Sequence, residues 1–202
     1  MTIKSAAVAA RTAFVVLACV TCLGAAGQQH SEAAEHSPQV AHQPAPNPLA
    51  AANGKHLLAY VVTASDCGWS RLPTAMASFR NLRSALRKAH GKNYAQVTVV
   101  AVDIDENADT GVRFLAELAG GSSSSAFDQV IVGGSWLNEQ IVRFVWRDKV
   151  AKASIPQVIL VERLLDTSAF PRSIEVAGDR VIATFSGERE IVSWVDRGVP
   201  IP

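Results

Sequence analysis

The chain has few cysteines, few aromatic residues and almost no net charge. Of 202 residues only three are cysteine, 6% are aromatic, and the formal net charge is +1. Cys19 and Cys22 lie inside an apolar N-terminal run, so the rest of the chain holds Cys67 alone. A lone cysteine closes no internal disulfide, which excludes a disulfide-stapled scaffold and flags the thiol as reactive or intermolecular. The charge balance gives no overall electrostatic case for nucleic acid or an anionic membrane as partner. Basic and aromatic residues do not alternate, as a single-strand groove would need. No Ca²⁺-loop spacing, phosphate-loop pattern or internal repeat is present. Apolar residues make up 49% of the chain, ordinary for a protein with a real core.

The N-terminus has the layout of an export signal. Lys4 and Arg11 precede the apolar run Ala13 to Ala26, and Gly24 and Ala26 supply small residues before Gly27. That run is shorter than the ~20 residues that span a bilayer. The expectation is a signal peptide over residues 1–26, removed on export, with an uncleaved anchor as the alternative. A lipid-bearing Cys19 is disfavoured, because Val16-Leu17-Ala18-Cys19 has a bulky residue where such a site usually has a smaller one. Residues 27–54 are rich in Ala, Pro, His and Gln without an apolar period, as expected of a disordered linker. His30, His36 and His42 recur there at steps of six, and a polar linker explains them without a metal.

A folded domain is expected over residues 55–202. His56 to Thr63, Ala95 to Val102 and Pro156 to Glu162 read as buried strands. Leu72, Met76, Phe79, Leu82 and Leu86 give one face of a helix beginning near Arg71. Asp109 is placed to cap a helix carrying Val112, Leu115 and Leu118. Gln129 to Val132 reads as a brief strand, and Ser135 as the cap of a helix from Trp136 to about Val150. Trp136, Trp146 and Trp194 are expected to pack. Gly178-Asp179 between two strand-like runs predicts a hairpin turn, and Glu188 to Arg197 a closing helix. Helix-linked strands imply parallel pairing with right-handed crossovers.

Cys67-Gly68-Trp69-Ser70 stands between the first strand and the first helix. A cysteine at a helix N-terminus meets unpaired N–H groups that favour the thiolate. Asp66 beside it opposes ionisation, and Arg71 is placed to offset that charge. Ser70 occupies the position where a C-x-x-C motif has its second thiol. Its hydroxyl is available to bond the sulfur or to cap the helix. Asp103, Asp105 and Glu106 read as a solvated strand end. His56 and His90 have no visible triad partners.

The order of elements, with Cys67-Gly68-Trp69-Ser70, the acidic strand end Val102-Asp103-Ile104-Asp105-Glu106-Asn107 and Ser154-Ile155-Pro156-Gln157-Val158, resembles the thioredoxin superfamily over Lys55 to Arg197. The resemblance implies an α/β three-layer sandwich: a mixed central sheet with helices on both faces. Residues 127–152, longer than the resemblance requires, are expected to be an inserted strand-helix segment. It implies that Ile155-Pro156 is a cis junction beside Cys67, presenting backbone to an extended substrate. The family's buried acid six residues before its cysteine is replaced here by Val61.

Two functions are expected. One is an exported protein doing thiol–disulfide exchange with one thiol, Cys67 with Ser70 at its side. Gly68, Trp69, Ile155 and Pro156 would form the substrate surface. Its partners would be protein thiols or disulfides, and glutathione, with no cofactor and no metal. The other is a non-catalytic binding or assembly module of the cell envelope. It would use Trp69, the Ile155-Pro156 loop and the 127–152 segment. Either way the expected location is the periplasm, free or held by the N-terminus.

Overall fold

The computed structural model describes residues 49–121 and 126–202. The chain divides into two units, Met1–Gln43 and Pro44–Pro202, and the sheet and helices belong to the second. The expected export signal over residues 1–26, His30, His36 and His42, and the linker to residue 48 lie outside the described residues. Residues 49–53 are tied to the domain: the Thr167 N–H donates to Asn53 Oδ1 at 3.0 Å.

Five strands form one sheet, β1 (Gly54–Thr63), β2 (Gln96–Asp103), β3 (Gln129–Val132), β4 (Gln157–Asp166) and β5 (Glu175–Ser186), in the order β3-β2-β1-β4-β5. The β1–β2 and β2–β3 pairs are parallel, while β1–β4 and β4–β5 are antiparallel. Alternation along β1 sets the two cores. Leu57, Ala59 and Val61 join one cluster, and Leu58, Tyr60 and Val62 the other. Burial on both sides explains why β1 reads as a continuous apolar run rather than an alternating one.

Three helices cover the first face: α1 (Pro73–His90), α2 (Ala108–Leu118) and α4 (Glu188–Asp196). They contribute Phe79, Leu82, Leu115, Leu118, Ile191 and Trp194 to one core. The second face is covered by a single α-turn, α3 (Glu139–Ile141), which continues as a π-helix over Val142–Arg147. Ile141, Phe144 and Val145 fill that side. The fold is a thioredoxin-like α/β sandwich with a mixed sheet. The 127–152 segment supplies its edge strand β3 and the helical cover of its second face.

Several local expectations change. The cap of α2 is Asn107, whose side chain accepts from the N–H groups of Asp109 and Thr110. The buried face of the helix carries Phe114 with Leu115 and Leu118, while Val112 is 52% exposed. Ser135 caps nothing: it follows the left-handed pair Gly133-Gly134, with its own φ at 51°. Asn138 is the cap instead, accepting from the Gln140 N–H at 3.1 Å. Gly178-Asp179 is not a turn but mid-strand in β5, opposite Leu164 and Arg163. Asp179 holds both Arg163 (2.8 Å) and Arg143 (2.6 Å) there, which joins the π-helix to the sheet. A register shift beside Gly178 leaves Ala177 without a partner in β4. The hairpin connection is residues 167–174.

Candidate functional site

The strand run of β1 ends at Thr63, and two turns carry the chain to α1. The Cys67 N–H donates to Ala64 O at 3.3 Å, and the Ser70 N–H donates to Cys67 O at 3.0 Å. The loop is braced from outside. The Ser65 N–H donates to both oxygens of Asp105 at 3.1 and 3.3 Å. Arg71 Nε donates to Ser65 O at 2.6 Å.

Cys67 is half-buried and packs with Ile155 against the second core. Its thiol donates to Ile155 O at 3.6 Å. The Ile155-Pro156 peptide is cis, as expected, and lies beside the sulfur. Pro156 O accepts the Gly187 N–H at 2.8 Å. Three loops thus converge: the one after β1, the one before β4, and the β5–α4 junction. An open groove of about 660 Å³ runs beside them, lined by Trp69, Ile155, Ser186, Gly187, Glu188 and Arg189 among others. Trp69 is 64% exposed on its rim, and Gly68 is exposed beside it.

Ser70 departs from expectation. Its Oγ is buried and has no hydrogen-bond partner among the described residues, so it neither bonds the sulfur nor caps α1. The cap position is Leu72, without a side-chain bond, and Pro73 opens the helix. Cys67 therefore lies six positions before the first helical residue, and its sulfur bonds a carbonyl rather than helix amides. The helix-terminus argument for a thiolate loses its geometric basis. Arg71 does not offset Asp66. Its guanidinium pairs with Glu117 at 3.2 Å and sits 4.9 Å over the Phe114 ring.

The acidic strand end is not solvated throughout. Asp103 is fully buried, with Oδ1 accepting the Asp105 N–H at 3.0 Å and Oδ2 without a hydrogen-bond partner among the described residues. Burial, with the nearby charges of Asp105 and Asp66, pushes its carboxyl up to about 6. Thr63, its neighbour in the β1–β2 register, also has a buried hydroxyl without a hydrogen-bond partner among the described residues. Gly111 of α2 makes room for this carboxylate: a Cβ there would lie 2.5 Å from Asp103 Oδ1. His56 and His90 bond backbone carbonyls and take no part in the site.

Sequence reasoning missed Asp103 as a buried acid because its cover comes from a helix packed across it. It also missed the β5–α4 junction as the far wall of the groove. The available signal was Gly187 between a strand pattern and an apolar-faced helix.

No protein family and no curated protein matches the chain. Among solved structures, a thiol:disulfide interchange protein from Bacteroides sp. aligns at 13% identity and a TM-score of 0.34, covering 74% of this chain and 75% of that one. StoA from Bacillus subtilis aligns at 12% and 0.31, covering 71% and 83%. BsSco, a member of the Sco family of cytochrome c oxidase assembly proteins, aligns at 15% and 0.35, covering 72% and 80%. At these scores the likeness carries no argument about chemistry, which rests on the loops around Cys67.

Proposed function

We propose that the protein is exported and performs thiol–disulfide exchange through Cys67 alone. The observation that carries this is the placement of a half-buried thiol at 3.6 Å from Ile155 O, beside a groove walled by Trp69 and the β5–α4 junction. The Ile155 carbonyl faces inward, and among the described residues its N–H has no acceptor. An extended substrate segment would use that N–H as its backbone contact and Trp69 as an apolar wall.

The step is a displacement. The Cys67 thiolate attacks one sulfur of a substrate disulfide and forms a mixed disulfide. The other substrate sulfur leaves as a thiolate and takes up the proton that Cys67 released. Ser70 has no sulfur to release the adduct, so a second thiol, from glutathione or a protein, must attack Cys67 or the substrate sulfur. The sequence of events is exchange and isomerisation, not net reduction by a dithiol.

A second reading has its own support. The thiol donates to a carbonyl, α1 starts late, and Arg71 is committed to Glu117. These features suit a binding module that keeps the groove and has lost turnover. Non-reducing electrophoresis of the exported chain, trapped with acid, separates the two. The exchange reading expects mixed disulfides that reductant releases and that Cys67→Ser lacks. A wild-type chain without adducts, with partner binding unchanged in Cys67→Ser, assigns the binding role. N-terminal sequencing of the same material tests export: a start near Gly27 is expected, and an intact Met1 contradicts cleavage.

A further inference from the structure

The stretch from Leu137 to Lys152 leaves apolar and cationic side chains in solvent that neither core uses. Leu137 is 80% exposed, Trp146 48% and Val150 44%, and residues 146–150 are exposed without a break. Trp146 does not pack into a core, contrary to the expectation from its sequence. Its Nε1–H donates to Trp136 O at 2.9 Å, and the two indoles meet edge to face at 6.2 Å. This contact places the end of the π-helix beside the turn that carries Leu137. The Val150 N–H donates back to Phe144 O at 3.0 Å, which returns the chain across the same helix end.

Cations stand next to Trp146 and Val150 in the chain. Arg147 is 65% exposed and pairs with Asp148 at 2.9 Å. Lys149 and Lys152 are exposed and make no ion pair among the described residues. The opposing charges on this stretch are Glu139 and Asp148, and no acidic residue follows between 149 and 161. Arg143 is drawn inward by Asp179, so the helix presenting this surface is fixed to the sheet.

We propose that this surface lies against an anionic lipid headgroup layer. Tryptophan and aliphatic side chains settle at the boundary between headgroups and acyl chains. Lysines on flexible stems reach the phosphates around them. A protein partner fits less well, because lysine is depleted in the desolvated centre of protein interfaces, and here two lysines flank Val150. Lipid contact at this surface is independent of the chemistry of Cys67.

The test uses the full chain with vesicles of phosphatidylcholine alone or mixed with phosphatidylglycerol. Hydrogen exchange of peptides spanning residues 137–153 is read by mass spectrometry. This local readout is separate from any attachment by the apolar N-terminal run. The expected result is several-fold slower exchange of these peptides with the anionic vesicles only, reversed by high salt. Leu137→Ser with Trp146→Ala, and separately Lys149→Glu with Lys152→Glu, should lose that protection while β1 and α1 exchange as in the wild type. Unchanged exchange of residues 137–153, equal protection on neutral vesicles, or full protection in both variant pairs overturns the proposal.

Discussion

The thiol of Cys67 donates to the carbonyl of Ile155 at 3.6 Å, a contact between positions 88 apart in the chain. It joins the loop after β1 to the loop before β4. Pro156 O extends the connection to Gly187 at 2.8 Å. The sulfur is therefore held by tertiary structure, not by the turn that contains it.

Ser70 offers the first prediction. A buried hydroxyl without a partner carries a desolvation cost that no hydrogen bond offsets. Ser70→Ala should leave stability unchanged or raise it by about 1 kcal/mol, measured by urea unfolding under reducing conditions. A loss of more than about 1 kcal/mol would mean the hydroxyl has a partner.

Ser70→Cys should form a disulfide with Cys67. The Ser70 N–H to Cys67 O bond of 3.0 Å closes a four-residue turn, and such turns bring their end Cα atoms within about 7 Å, near the span of a disulfide. The variant should gain dithiol reductase activity toward a model disulfide. The gain should be partial, since Val61 supplies no acid. Thiol counting after mild oxidation checks this: two free thiols persisting at 67 and 70 contradict it.

Asp103 should make stability depend on pH with the opposite sign to most carboxylates. Its folded value is raised to about 6 from 3.8, so between those values the native state holds a proton that the unfolded chain has lost. Stability should fall as pH rises from about 4 to 6, by an amount on the order of 2–3 kcal/mol, and level off above. Asp103→Asn keeps an acceptor for the Asp105 N–H and removes the ionisation. Unfolding measured across this range should lose that slope in the variant. The same slope in both proteins contradicts the assignment.

Gly111→Ala tests the cover over the same carboxylate. The added methyl would meet Asp103 Oδ1 at 2.5 Å, so α2 or the carboxylate must move. Although alanine is the better helix former, the substitution should destabilise by roughly 1–3 kcal/mol. Stabilisation in thermal unfolding would show that the contact yields freely.

The sequence carried the fold further than the site. β1, α1, β2 and α4 were legible because each has an apolar run or a clear helical face. Ile155-Pro156 was legible as the junction that enters the third apolar strand. Gly178-Asp179 misled because the pair has turn chemistry. Its position in mid-strand is set by Arg143 and Arg163, which reach Asp179 from other elements. Asp103 misled for a related reason: a strand-end carboxylate is usually solvated, and only the packing of Gly111 against it removes the water. The late start of α1 follows from Pro73, which was visible as a first-turn residue. The two turns that fill residues 64–70 have no comparable signal.

The claim that Cys67 is a working single thiol is tested most directly by incubating the reduced protein with glutathione disulfide. Intact-mass measurement and peptide mapping then locate any adduct. A working thiol predicts one glutathione on Cys67 of the folded protein, stable until a thiol is added and then released, and none in Cys67→Ser. A folded wild-type chain that stays unmodified, while the same chain unfolded in denaturant is modified at Cys67, would contradict it and leave the groove as a binding surface alone.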